Sequence, residues 1–423
     1  MKLYKLNHVF VPGGMPQYTY VSRSERQLEQ QLRKANENLC KLVTLTGSTK
    51  SGKTVLANKI FPRMSEEINI WIDGGSISVE DDLWSSILDT LDGHNTVEST
   101  EEKSSCKSLG GEIEGEVGAI FIKGKGKTST SLTKNKTNGI RKLRTVSKRS
   151  AAINALRESE SPLIIDDFHY INRDFQGNII RALKPLIFEG IPVILIAIPH
   201  RRYDAIKVER EMTGRLEPIH VPTWSLEELI EIPALGFPLL NADLSESIAN
   251  ILAQEAYGSP HLMQEFCRSI ATRHNVKETI QKKVCIDRTS SIIFKNVAEG
   301  TGKIVFEKLA KGPRTRTDRM QRPLKNGEAA DIYKVVLLAL ARLSPGMETV
   351  DYDQLRGAIR DILTDNFPQA HEVSRVLEKM AEIASSDEAS TPVIDWEKDD
   401  QRLHITDPFF AFFLKWGVKD KFV

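Results

Sequence analysis

The sequence has no cysteine framework. Cys40, Cys106, Cys267 and Cys285 stand far apart with no C-x-x-C pair. Neither a disulfide scaffold nor a zinc ribbon is expected, and a reducing cytoplasm fits. Long apolar runs are also missing. The longest, Val193–Ile198 and Val335–Ala341, fall well short of the ~20 residues a membrane helix needs. The start, Met1-Lys-Leu-Tyr-Lys-Leu-Asn7, lacks the apolar core of roughly 7–15 residues that marks a secretory signal. An excess of one charge is absent too: 58 Lys plus Arg face 57 Asp plus Glu, a net charge of +1. That sum selects no partner; only its distribution along the chain can. What is present is ordinary globular material. With 40% hydrophobic and 27% charged residues the chain is not wholly disordered. Its 423 residues allow two to four domains at roughly 100–200 residues each.

The strongest motif is Gly47-Ser48-Thr49-Lys50-Ser51-Gly52-Lys53-Thr54, a complete G-x-x-x-x-G-K-T loop. The apolar run Leu42–Thr46 before it reads as a buried strand, and Val55 to Phe61 after it as a helix stopped by Pro62. A loop of this kind aims backbone N–H groups and a helix N-terminus at a polyphosphate. Lys53 is then expected on the β/γ-phosphates and the Thr54 hydroxyl on Mg²⁺. Farther on, Pro162-Leu-Ile-Ile-Asp166-Asp167 is an apolar strand ending in two carboxylates. Asp166 is placed to hold Mg²⁺ through water, and Asp167 to polarise an attacking water. A third apolar strand, Val193–Ile198, leads to Pro199-His200-Arg201. His200 at its tip is the candidate γ-phosphate sensor, with Arg201 next, although an ordinary polar loop reads the same way. Strand-like runs Leu42–Thr46, Ile68–Ile72, Leu163–Ile165 and Val193–Ile198 alternate with helical segments. That pattern predicts an α/β fold with a parallel sheet covered on both faces.

This order of parts resembles the AAA+/STAND branch of P-loop ATPases, which includes origin-recognition-type proteins, winged-helix archaeal ATPases and nucleotide-switch immunity proteins. The resemblance implies ATP and Mg²⁺ as ligands. It makes Thr19-Tyr20-Val21-Ser22-Arg23 the segment that packs on adenine and contacts phosphate. Arg215 falls where such proteins carry an arginine finger for a neighbouring subunit. Thr223-Trp-Ser225-Leu-Glu-Glu228 opens a helical lid, with Ser225 and Glu228 as a capping box. Gly258-Ser259-Pro260-His261 resembles the G-x-P motif through which a lid residue approaches the nucleotide. The lid lacks the usual arginine, and Asp167 replaces the usual Glu. Both departures imply slow, switch-like hydrolysis.

Charge is unevenly distributed. Residues 98–116 carry Glu98, Glu101, Glu102, Glu112, Glu114 and Glu116, whereas residues 123–149 carry ten Lys/Arg and no acid. Ile113, Val117, Ala119 and Phe121 followed by Gly-Lys-Gly-Lys suggest an exposed hairpin. A solvated insertion, a nucleic-acid contact through Lys123, Lys125, Lys127, Arg141 and Arg144, and a subunit contact remain open. The stretch 308–325 is basic as well, and reads either as a phosphate contact or as a solvated hinge.

Three helical patterns, Asp331–Leu343, Tyr352–Leu363 and Glu372–Ile383, precede strand-like runs Pro392–Trp396 and Arg402–Thr406. With the closing apolar run Asp407-Pro-Phe-Phe-Ala-Phe-Phe-Leu-Lys-Trp416 they predict a C-terminal winged helix. Glu372, Glu378 and Glu382 on the third helix, and Glu397, Asp399 and Asp400 at the wing, oppose the phosphate neutralisation that DNA reading requires.

The expected organisation is a nucleotide-packing segment (1–40), an ATPase core (41–225) with a charged insertion (98–149), a lid (226–300), a basic linker (301–330) and a winged helix (331–423). The expected function is a cytoplasmic, homo-oligomeric ATP switch. It changes assembly state with nucleotide and signals through an effector in trans, in antiviral or stress response. The alternative is a DNA-associated ATPase.

Overall fold

The computed structural model describes residues 2–37, 40–91, 96–101, 140–145, 147–198, 212, 214–313, 319–385 and 392–418. Two compact units emerge: Met1–Ser78 together with Pro162–Val423, and Val79–Ser161.

The larger unit is organised around a five-stranded sheet. In chain order the first seven strands among the described residues are β1 (Leu42–Gly47), β2 (Ile70–Asp73), β3 (Thr96–Glu101), β4 (Ile140–Thr145), β5 (Leu163–Asp166), β6 (Val193–Ala197) and β7 (Leu216–Val221). The sheet runs β2-β5-β6-β1-β7 with every pairing parallel. β1, β5 and β6 are buried along their whole length, as near-continuous apolar strands in a two-sided parallel sheet must be. Because all five point the same way, Gly47 and Asp166 emerge at one carboxyl edge, the usual ligand edge of an open α/β sheet.

Around the loop, two boundaries differ from expectation. The helix after the loop spans Lys53–Ile60, starting at Lys53 because Gly52, in a left-handed conformation (φ 90), forms its N-cap. β2 begins at Ile70 rather than Ile68. The Asn69 amide donates to Pro62 O and Ser65 Oγ, which keeps residues 62–69 in a turn and leaves Ile68 half exposed.

The lid opens with the helix Leu226–Leu239, where Ser225 and Glu228 form the expected capping box. Helices Glu246–Glu255 and Pro260–Arg273 follow, each capped by a serine. Helices Ser291–Thr301 and Lys303–Lys311 lead toward the C-terminal domain. There, helices Ile332–Leu343, Tyr352–Ile362 and Ala370–Ser385 pack with a three-stranded antiparallel sheet of Val350–Asp351, Ile394–Glu397 and Arg402–Ile405. This is a winged helix. The chain then runs through helix Pro408–Phe413 into a wider turn, Leu414–Val418. Phe266 and Phe294 of the lid side touch Phe412 with ring centroids 5.1 and 6.2 Å apart. Lid and C-terminal domain therefore share one apolar core, which also takes in Phe10 and Val9 from the N-terminal segment.

Two arginines of the basic stretch 308–325 are paired with acids from other elements. The Arg319 guanidinium meets Asp331 at 2.7 Å and lies over the Tyr333 ring. Arg322, 5% exposed, donates to Asn366 O and pairs with Glu372. Arg314 and Arg316 lie outside the described residues. The acids of the third helix are matched in the same way: Glu378 pairs with Lys398, and Glu382 with Lys379.

The smaller unit holds helices Glu80–Thr90 and Lys148–Ser159 and the antiparallel pair β3–β4, registered from Thr96↔Thr145 to Glu101↔Ile140. The hairpin expected around residues 112–127, and with it Lys123, Lys125 and Lys127, lies outside the described residues. Among the described residues no helix is long and apolar enough to cross a membrane.

Candidate nucleotide-binding site

β1 delivers the loop at the centre of the sheet. Gly47 is required there, since a Cβ would stand 2.4 Å from Val221 O of the neighbouring strand. The Lys53 ammonium lies back across the loop, donating to Gly47 O at 3.0 Å and Ser48 O at 2.8 Å. Its burial pushes the pKa down to about 8, against the upward pull of Asp167 and Asp166. The Ser51 hydroxyl is buried without a hydrogen-bond partner. An unmatched buried hydroxyl and an ammonium resting on carbonyls are polar groups of the kind a polyphosphate would engage.

β5 brings the two carboxylates to the same edge. Thr54 Oγ1 donates to Asp166 Oδ1 at 3.2 Å, and the Asp167 N–H donates to the same oxygen at 3.0 Å. Burial raises the Asp166 pKa, while these hydrogen bonds and Arg63 oppose the rise. Burial and then the Asp166 charge raise Asp167 to about 6. Asp167 sits in the left-handed region at φ 49, and a Cβ on Gly74 would stand 2.4 Å from its carbonyl. Thr54 and Asp166 form a hard-oxygen pair of the kind Mg²⁺ uses when it keeps most of its waters. Among the described residues no cluster of three or more His, Cys, Asp or Glu could hold a metal by itself.

Beside the loop is a cavity of roughly 320 Å³, lined by Thr49, Lys50, Ser51, Gly52, Lys53, Thr54 and Val55, by Tyr20 and Arg23, and by Pro260 and His261. The Tyr20 hydroxyl donates to Glu29 at 2.8 Å; burial, with Glu29, raises its pKa. Arg23 is engaged by protein: it donates to Pro222 O and Thr223 O and pairs with Glu228 at 3.0 Å. His261 packs edge-on to Phe409, and burial with nearby Lys50 and Arg268 lowers it to about 4.

One expected residue lies outside the described residues and one stands apart from the others. The first is His200, with Arg201 beside it. Arg215 is exposed and stands at the start of β7, where its carbonyl accepts from Leu42 N at the opposite edge of the sheet. Its guanidinium lies 5.6 Å over the exposed Phe188 ring.

Three neighbours escaped the sequence reading. Trp224 Nε1 donates to Ser51 O at 2.9 Å, tying the lid entrance to the loop. Arg63 stands 3.5 Å from Asp166 Oδ2. Asp407 pairs with Lys50 of the loop. Trp224 and Asp407 lay beside signals the sequence carries, the Ser225 cap and the closing apolar run, whereas Arg63 did not.

The parallel sheet and its glycine-bounded loop define a P-loop ATPase fold. The chain aligns with the Walker-type ATPase PABY2304 of Pyrococcus abyssi at a TM-score of 0.51 and 14% identity, covering 96% of this chain and 99% of that one. The Orc1 protein of Aeropyrum pernix, solved in complex with DNA, aligns at 0.45 and 14% identity over 99% and 97%. The Holliday junction branch migration complex subunit RuvB of a Wolbachia of Drosophila simulans is 25% identical over 159 residues, 34% of this chain and 48% of that protein. The chain thus spans about half the length of the curated relatives it matches. No protein-family model matches it.

Proposed function

We propose that the protein is an ATP-binding, ATP-hydrolysing switch. The observation that carries this is the loop itself: Lys53 on the Gly47 and Ser48 carbonyls, the unmatched Ser51 hydroxyl, and Thr54 against Asp166 at one buried edge. Backbone N–H groups of residues 48–54 and the Lys53 ammonium bind and orient the phosphates. Thr54 and Asp166 would hold Mg²⁺, which would screen the phosphate charge. Asp167 sits next in the chain with a raised pKa, suited to accept a proton from an attacking water. Tyr20, Pro260 and His261 line the same cavity and would take the base.

The lid and winged helix share one core, so a movement at the cavity would be felt in the C-terminal domain. This supports a nucleotide-dependent change of assembly, with Arg215, remote from its own site, completing a neighbour's. Output would pass to an effector in trans; resemblance to nucleotide-switch immunity proteins suggests antiviral or stress signalling. Phosphate release on adding ATP and Mg²⁺, lost in Lys53→Ala, together with ATP-dependent growth in light scattering, is the expected result. Hydrolysis without any change in mass would remove the switch and leave the ATPase.

A second reading, a DNA-associated ATPase, is favoured by the RuvB relative, named for Holliday junction branch migration, and by the basic residues 123–149. It requires DNA affinity that falls steeply across a salt series and weakens on neutralising Lys123, Lys125 and Lys127.

A further inference from the structure

Lys50 occupies a middle position of the phosphate loop, yet its ammonium points at the other end of the chain. Nζ stands 2.7 Å from Asp407 Oδ2 and 3.6 Å from the centre of the Phe409 ring. Lys50 also lines the loop cavity together with Ser51, Gly52 and Lys53. We propose that Lys50 is a second, exchangeable phosphate-binding lysine: the C-terminal domain holds it through Asp407 and Phe409, and a bound polyphosphate takes it from them. The inference rests on the nucleotide-binding reading above and names how that site is regulated.

Three features make the pair exchangeable. Asp407 does not depend on Lys50, because its Oδ1 accepts from Phe409 N at 2.7 Å and Phe410 N at 3.0 Å, capping the helix Pro408–Phe413. Losing the lysine therefore leaves no bare buried carboxylate, which is what makes most buried pairs costly to break. The lysine side chain keeps 28% of its exposure, so it can swing on its four-carbon stem. A polyphosphate brings several charged oxygens against one carboxylate, and charge-assisted bonds to phosphate favour the exchange. The same terminal run is anchored a second time, with Glu255 of the lid accepting from Trp416 Nε1 at 2.7 Å and pairing with Lys415. Release at Lys50 would thus loosen the helix at its loop end while the lid end stays tied.

The test is a double-mutant cycle of ATP affinity on the full chain, read with a fluorescent ATP analogue and Mg²⁺. Asp407→Asn, which keeps a capping oxygen, is expected to bind about tenfold more tightly, equivalent to about 1.4 kcal/mol. Lys50→Met should bind more weakly, and Asp407→Asn should change nothing in the Lys50→Met background. On the wild-type chain, ATP should speed hydrogen exchange of amides 409–414, a readout independent of how Asp407→Asn folds. An Asp407→Asn affinity equal to wild type, an equal gain in both backgrounds, or unchanged exchange with ATP bound would overturn the exchange at Lys50 and leave nucleotide binding standing. Absence of any wild-type binding would overturn both.

Discussion

The carboxyl edge of the parallel sheet and the C-terminal part of the chain hold their charged groups differently. At the sheet edge Lys53 is buried with only carbonyls for partners, and the Ser51 hydroxyl has none. In the C-terminal domain Arg319 has Asp331, Arg322 has Glu372 and Asn366 O, and Glu378 has Lys398. Unmatched polarity in a packed interior costs stability and persists where a ligand supplies the missing partner; matched polarity fixes a fold. The winged helix also buries Trp396 Nε1 without a partner, but at the loop the unmatched groups, Ser51 and Lys53, line a cavity that a ligand can enter.

Four substitutions sharpen that contrast. Phe412→Ala removes a ring packed between Phe266 and Phe294 and should cost about 3–5 kcal/mol. Denaturant unfolding should show it, as a single transition for lid and C-terminal domain; two separated transitions would break the shared-core account. Lys53→Ala should do the reverse. It should lower ATP hydrolysis about 10²–10³-fold, as loss of one charge-stabilising donor does. Folding stability should be unchanged or higher, since a buried ammonium without a carboxylate bond is gone. Arg322→Ala should cost about 1–3 kcal/mol by stripping partners from Asn366 O and Glu372, with ATP affinity unchanged. A parallel loss of affinity would mean that the two regions are not separable.

The smallest effect is in pH. The folded pKa of His261, about 4, lies below the ordinary imidazole value of about 6.5. Between those values the unfolded chain binds more protons, so stability falls as pH is lowered through that window. His261→Gln should flatten the fall in a series of thermal unfolding curves. Identical slopes would show that the burial of this ring does not set its protonation.

Much of the nucleotide edge is legible in the sequence because its chemistry needs neighbours in the chain. A loop that turns backbone amides on phosphate must be contiguous, and an acid at a strand tip needs only an apolar run before it. The winged helix is legible through periodicity and two short strands. What was hidden is long-range. Lys50 meets Asp407 across 357 positions, and Trp224 reaches Ser51 O across 173. The motif marks Lys50 as a loop residue but nothing local names its partner, and nothing local distinguishes Asp407 from a plain helix cap. Arg319 and Arg322 read as a basic link because their acids, Asp331 and Glu372, lie on other elements. The start of β2 was misjudged because Asn69 keeps the turn closed through side-chain bonds that hydropathy does not register.

Thermal unfolding of the full chain across a series of ATP concentrations with Mg²⁺ tests the central claim most directly. A ligand that binds only the folded loop adds about 2.7 kcal/mol at a hundred times its Kd. The account predicts a Tm that climbs with ATP in the wild-type protein and stays flat in Lys53→Ala. A Tm indifferent to ATP in the wild type, or an equal climb in Lys53→Ala, would contradict it.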